Sequence, residues 1–145
     1  MKRILTALTL LVCLMATGCG EGRRKESAKP GDALEAGRLP AIEFELKKYT
    51  LGDIRTDTIA SPRLFVFPFT NTGEGELQIL ECHTNCKCLT VEKPKGAIKP
   101  GEKGEIRAWF DFSGQPGGGF RKSVSVITNA EPPLRTLYIE GRALD

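Results

Sequence analysis

The sequence predicts an all-β protein in which about seven short strands pack as an antiparallel sandwich. From residue 41 onward, apolar and polar residues alternate in short runs, as in strands that bury one face. Turn-forming residues separate these runs, and no long amphipathic helical pattern lies between them. Because parallel neighbours would need crossover helices, short connections favour antiparallel pairing.

The seven predicted strands are identified by their apolar faces. In chain order these faces are Ile42, Phe44 and Leu46; Phe65, Phe67 and Phe69; Leu77 and Ile79; Leu89 to Val91; Ile106, Ala108, Phe110 and Phe112; Val124 and Val126; and Leu137 and Ile139. The aromatic faces of the second and fifth strands are expected to supply much of the core between the sheets. Trp109, on the opposite face of its strand, is interpreted as sandwich packing rather than a ligand platform, although an exposed tryptophan would point to a partner surface.

Residues 1–18 are predicted to be a cleaved signal peptide. Lys2 and Arg3 precede an apolar run from Ile4 to Ala16. That run is shorter than the roughly 20 residues of a membrane-spanning helix, but it matches the apolar region of an export signal. The alternative, a buried N-terminal helix, would show an amphipathic stripe that this run lacks.

The end of this segment, Met15-Ala16-Thr17-Gly18-Cys19, resembles the lipobox of bacterial lipoproteins. The resemblance implies that Cys19 becomes the new N-terminus and carries a diacylglycerol, and that its amine is often acylated as well. Two or more acyl chains hold a protein stably on a membrane. We therefore expect a protein of the cell envelope, lipid-anchored to a membrane outside the cytoplasm and facing the periplasm or the cell surface.

Residues 19–40 are predicted to form the lipidated cysteine and a disordered tether, and residues 41–145 the sandwich domain. The tether is rich in Gly, Ala, Ser, Glu and Lys and has no apolar periodicity. Removing residues 1–18 leaves 19 of the 21 basic residues against 18 acidic ones. The mature charge near +1 gives no basic field for nucleic acid, so none is expected as a partner.

Three cysteines of the domain, Cys82, Cys86 and Cys88, lie within one seven-residue stretch together with His83, the only histidine. In an oxidising compartment the first interpretation is a disulfide of Cys82 with Cys86 or with Cys88, since the Cys86 to Cys88 ring is tighter. The second is a soft-metal site in which the three thiolates and His83 bind copper or zinc.

A third interpretation is redox chemistry by the thiol that one disulfide would leave over. Lys87 and His83 are positioned along the chain to lower the pKa of such a thiol and make it reactive. The sequence alone leaves these three alternatives open.

Short motifs follow one another along the domain in a fixed order: Ile42-Glu43-Phe44-Glu45, Phe67-Pro68-Phe69-Thr70-Asn71-Thr72-Gly73, Leu77-x-Ile79, Cys86-Lys87-Cys88, Ile98-Lys99-Pro100-Gly101, Gly104-Glu105-Ile106, Gly119-Phe120-x-Lys122-x-Val124, Val126-x-Thr128-Asn129 and Leu137-x-Ile139-x-Gly141. In this order they resemble a family of exported bacterial immunoglobulin-like domains of unknown function, DUF1573. The resemblance implies a fold akin to pilus-chaperone and cilium-associated domains, and no known reaction. Family members usually carry Cys-Gly-Cys-Thr, whereas Lys87 and Leu89 depart from that pattern here.

The chain shows neither paired catalytic acids, nor a nucleophile beside a base, nor a cofactor fingerprint. We therefore predict a non-enzymatic, membrane-tethered binding or assembly module that requires no cofactor and meets an envelope protein partner through a sheet edge or loops. The alternative is a thiol-based metal or redox protein that uses Cys82, Cys86 and Cys88, with copper or zinc as the metal.

Overall fold

The computed structural model describes residues 37–144. The predicted signal peptide (residues 1–18), the predicted lipidation site Cys19 and most of the predicted tether therefore lie outside the described residues. Residues 37–144 are all β and contain no helix that is long and apolar enough to cross a membrane.

Eight strands make up two four-stranded sheets. They are β1 (Ile42–Phe44), β2 (Lys48–Arg55), β3 (Arg63–Asn71), β4 (Ile79–Thr84), β5 (Leu89–Glu92), β6 (Lys103–Phe110), β7 (Gly118–Thr128) and β8 (Leu134–Leu144). The first sheet has the order β1-β3-β6-β5 and the second the order β2-β8-β7-β4. The predicted β-sandwich is confirmed.

The strand count and one pairing differ from the prediction. The additional strand is β2, which pairs in parallel with β8, whereas all other strand pairs are antiparallel. It is interrupted between Thr50 and Asp53, where Gly52 has a φ of 66°. Leu46, predicted to be inward on the first strand, instead lies in the β1–β2 connection and is 39% exposed.

The core lies between the two sheets: β3 and β6 supply aromatic side chains from the first sheet, and β7 and β8 supply mainly aliphatic ones from the second. The predicted aromatic faces are confirmed, because five phenylalanines from β3, from β6 and from the residues just after β6 are at most 2% exposed: Phe65, Phe67, Phe69, Phe110 and Phe112. Tyr49 of β2 joins the sheets, since its ring lies edge-on to Phe67 and its hydroxyl donates to the Val66 carbonyl at 2.7 Å.

Trp109 does not pack between the sheets. It pairs with Leu64 across β3 and β6 and lies between the buried residues Ala108 and Phe110, so strand alternation turns it to the outer face of the first sheet. The interpretation of Trp109 as sandwich packing is therefore wrong. It is partly buried on an outer surface that also carries Leu64.

The sandwich has two distinct ends. The described chain enters at residues 37–41, and there the Thr72 amide donates to the Ala41 carbonyl at 2.9 Å and the Glu74 amide to the Leu39 carbonyl at 3.0 Å. A Cβ on Gly73 would lie 2.3 Å from the Ala41 nitrogen, so this close approach requires glycine. We call this the entry end.

The opposite end is formed by three connections: residues 56–62 between β2 and β3, residues 85–88 between β4 and β5, and residues 111–117 between β6 and β7. The strand registers place these three connections together and away from residues 37–41. We call this the distal end.

Candidate functional site

Hydrogen bonds join the three connections of the distal end. The Ser61 hydroxyl donates to the Asp111 carboxylate at 2.6 Å and accepts from the Phe112 amide at 2.9 Å. The Asp111 amide in turn donates to the Cys88 carbonyl at 2.8 Å. The Ser61 hydrogen bond is the main cause that lowers the pKa of Asp111. The three connections therefore form one surface with a fixed arrangement.

Cys86 and Cys88 form a disulfide within this surface, and Cys82 is a free thiol. The predicted pairing of Cys82 with Cys86 or Cys88 is therefore wrong. The physical reason is the length of β4, which extends to Thr84 and pairs Cys82 with the buried Val126. Cys82 accordingly points toward the seam between the sheets, whereas Cys86 and Cys88 lie in the turn that follows the strand.

The four residues predicted to bind a metal do not come together in the structure. His83 pairs with Ser125, so it lies on the outer face of the second sheet, where its Nε2 is 2.5 Å from the Glu81 carboxylate. Cys82 lies on the inner face, and the two remaining sulfurs are bonded to each other. Within residues 37–144 no three histidine, cysteine or acidic side chains are grouped as metal ligands.

The surroundings of Cys82 make its thiol less reactive. Burial raises the pKa of its thiol to about 11, although the charge of Lys93 acts in the opposite direction. The thiol is therefore protonated at neutral pH and a poor nucleophile. The interpretation that His83 and Lys87 lower the pKa of a leftover thiol is wrong for Cys82.

The turn that carries the disulfide is held by its own hydrogen bonds. The Leu89 amide donates to the Cys86 carbonyl at 3.1 Å, and the Cys86 amide donates to the Thr84 hydroxyl at 3.3 Å. The Cys88 amide donates to the sulfur of Cys86 at 3.2 Å. Both cysteines are partly exposed, and Lys87 between them is exposed.

An apolar row that sequence reasoning did not assign to the surface lies beside the distal end. Leu64 of β3, which is 44% exposed, neighbours Trp109 of β6, and Thr90 of β5 follows on the other side of Trp109. The signal in the sequence was the presence of apolar residues at the outward positions of two strands whose inward positions were already aromatic.

The other carboxylates with a shifted pKa, Asp57 and Glu140, form ion pairs at the surface, Asp57 exposed and Glu140 partly exposed. Arg55 lowers the pKa of Asp57 mainly through a side-chain hydrogen bond, and Lys48 lowers that of Glu140 in the same way. Such surface pairs contribute little to stability. They are surface ion pairs in the described structure.

Two sheets packed face to face around an aromatic core, with grouped connections at each end, define an immunoglobulin-like β-sandwich domain. The chain belongs to the DUF1573 family, described as proteins of unknown function, whose family model matches residues 42–143. A comparison of the sequence with curated proteins found no match.

Three solved structures share the fold at low sequence identity. A protein of unknown function from Porphyromonas gingivalis W83 is 20% identical, with a TM-score of 0.62 over 78% of this chain and 51% of that one. The periplasmic chaperone SfaE is 8% identical, with a TM-score of 0.54 over 72% and 59%. The VesB protease of Vibrio cholerae is 11% identical, with a TM-score of 0.52 over 78% and 34%. The chain thus spans between a third and three fifths of these proteins.

Proposed function

We propose that the protein is a non-enzymatic, membrane-tethered binding module that holds an envelope protein at its distal end. The observation that carries this proposal is that the chain enters the domain at one end and the connected loops lie at the other. The chain enters at residues 37–41, and the hydrogen-bonded surface of three connections lies at the opposite end. A lipid anchor at Cys19 would therefore leave this surface facing away from the membrane.

The edges of the sheets are less suited to a partner strand than the distal end. β2 is the longest edge strand, but its irregularity at Gly52 breaks the regular row of backbone groups that an added strand needs. On β4, the Ile79 carbonyl already accepts from the Lys93 ammonium at 2.8 Å. The other two edge strands, β1 and β5, have only three and four residues. Short, bulged and lysine-capped edges are typical of sheets that avoid strand addition.

The similarity to solved structures agrees with a binding role at the level of the fold. Immunoglobulin-like sandwiches serve many functions, and their sites are carried by particular residues and connections. The likeness to a periplasmic chaperone supports a role in the envelope that depends on contact with another protein. The apolar row of Leu64 and Trp109 beside the distal end extends the surface available for such contact.

Photo-crosslinking in the native cell tests where the partner binds. A photoreactive residue in place of Lys87 or of Ser113, both at the distal end, is expected to crosslink to one partner, and the crosslinked product should have the same mass from either position. Matched positions at Lys95 and Glu131, which are exposed at the entry end, are expected to give none. Crosslinks of equal yield from both ends, or from the entry end alone, would contradict the proposal, as would the absence of any crosslink.

Replacement of the proposed lipidation site tests the tether. Cys19→Ala is expected to move nearly all of the protein from the membrane fraction to the soluble fraction, because the acyl chains supply the membrane affinity. The measurement is fractionation with immunoblotting, together with the intact mass of the membrane-bound form. Cys13→Ala is the control and should leave the distribution unchanged. Cys19→Ala protein that stays in the membrane fraction would refute lipid anchoring at this residue.

A further inference from the structure

We propose that Cys86 and Cys88 are a redox-active pair, and that their disulfide exchanges with a dithiol of another protein. This activity goes beyond the binding role proposed above, although both are placed at the distal end. Three features of the disulfide carry it: the small loop that it closes, its accessible position, and the unequal surroundings of its two sulfurs.

The disulfide is poorly suited to be a structural staple. A crosslink stabilises a fold mainly by restricting the unfolded chain, and this effect falls as the closed loop becomes shorter. Cys86 and Cys88 are only two positions apart, with Cα atoms 5.1 Å from each other. The hydrogen bonds from Leu89 to Cys86 and from Asp111 to Cys88 use backbone groups and hold the turn without the sulfurs. Reduction should therefore leave the fold intact.

The pair is accessible at the distal end. Both cysteines are partly exposed and flank the exposed Lys87. They lie at the end of the sandwich opposite residues 37–41, where the described chain begins. Exchange between thiols and disulfides requires direct approach of one sulfur to another, so this position permits the reaction with a second protein.

The two sulfurs are not equivalent. The Cys88 amide donates a hydrogen bond to the Cys86 sulfur at 3.2 Å. A hydrogen bond to a thiolate favours the charged form, and a more stable thiolate is a better leaving group. Cys86 is therefore the sulfur that leaves, and Cys88 is the sulfur that an incoming thiolate attacks.

The exchange proceeds in two balanced steps. A thiolate of the partner dithiol attacks the Cys88 sulfur, the bond between Cys86 and Cys88 breaks, and Cys86 leaves as a thiolate. The second thiolate of the partner then attacks the partner sulfur of this mixed disulfide and releases Cys88. Two electrons pass from the partner dithiol to the pair, the partner becomes a disulfide, and Cys86 and Cys88 take up two protons.

Cys82 takes no part in these steps. Its side chain points into the seam between the sheets, where it packs against the core, and burial keeps its thiol protonated. Cys82→Ala is therefore the matched control for the two reactive cysteines.

Equilibration with dithiothreitol tests the proposal. The full chain carrying Cys13→Ala and Cys19→Ala is mixed with defined ratios of reduced and oxidised dithiothreitol, then quenched, alkylated and weighed by mass spectrometry. We expect reversible reduction of Cys86 and Cys88, an unchanged circular dichroism spectrum, and the same midpoint after Cys82→Ala. A pair that stays oxidised in excess dithiol until the domain unfolds, or that is reduced only together with loss of the fold, would overturn it.

Single variants on the Cys82→Ala background test the assignment of the leaving sulfur. Cys88→Ser leaves the Cys86 thiol and retains the amide at position 88, whereas Cys86→Ser leaves the Cys88 thiol alone. We expect the Cys86 thiol to react with iodoacetamide at pH 7 about threefold faster or more, with a lower midpoint in its pH profile. Equal rates, or a faster Cys88, would overturn the assignment.

Discussion

Replacing Asn71 with alanine is expected to lower the free energy of unfolding by about 3 kcal/mol or more, because a fully buried side chain that hydrogen-bonds four backbone groups would be lost. Asn71 ends β3 and has no exposed surface. Its amide donates to the Gly75 carbonyl at 2.8 Å and the Ile98 carbonyl at 2.9 Å. Its oxygen accepts from the amides of Gly73 at 3.0 Å and Ala41 at 3.4 Å. Alanine would remove all four bonds. The Ile98 carbonyl would keep its bond from the Leu77 amide at 2.9 Å, whereas the buried Gly75 carbonyl would lose the bond from Asn71.

The measurement for Asn71→Ala is urea and thermal unfolding, with Asn129→Ala as the matched control. Asn129 also bridges backbone groups, accepting from Gln78 at 2.8 Å and donating to Glu76 at 2.9 Å, but it is exposed. Water can replace those bonds, so its loss is expected to cost about 1 kcal/mol or less. The Asn71 variant should melt about 10 to 20 °C lower than the parent. Equal effects of the two variants would show that burial does not set the cost.

The residues that enclose the core were predictable because two strands carry an unusually strong pattern. Phe65, Phe67 and Phe69 recur at every second position, as do Ile106 and Phe110 with Ala108 between them, and period-two alternation fixes which side of a strand faces the core. The same rule also placed Trp109 on the opposite face. Its interpretation as sandwich packing is wrong because alternation, and not the size of the side chain, decides which face of a strand meets the core.

The strand β2 was not predictable from local pattern. Buried and exposed residues alternate only weakly along β2, and the strand is interrupted at Gly52. Neither face therefore carries a continuous apolar row. It is held by pairing with β8, which lies some 90 positions along the chain, as in the hydrogen bond from Thr50 to Glu140. Contacts of such long range leave no signal in a local window of sequence.

The candidate site was found in part, because the clustering of Cys82, Cys86 and Cys88 is visible in the sequence. The sequence does not show that Cys82 lies on the strand and the other two cysteines in the turn, because this depends on where β4 ends. Once the strand continues to Thr84, Cys82 and His83 must face opposite sides of the sheet. Residues 85–88 and Ser61 are joined through Asp111 by hydrogen bonds that form only when the three connections pack together. The turn residues of one connection therefore do not reveal this contact.

Phe67→Ala is expected to lower the free energy of unfolding by about 3 to 5 kcal/mol, because it removes a large side chain from the centre of the sandwich. Phe67 has no exposed surface, lies opposite the equally buried Ile106, and meets the ring of Tyr49 at a centroid distance of 5.2 Å. The cavity would therefore open between a strand of each sheet. Close-packed neighbours on both sides cannot fully collapse into it.

Leu64→Ala is the matched control for Phe67→Ala, since it lies on the same strand and faces outward with 44% of its surface exposed. Its loss is expected to change the free energy of unfolding by about 0.5 kcal/mol or less, because exposed positions contribute little. Urea unfolding at constant m-value separates the two. A comparable loss from both variants would mean that the faces of β3 are not divided between core and solvent. A large difference would leave Leu64 free to serve the apolar row at the surface, and would allow its substitution in crosslinking experiments without loss of the fold.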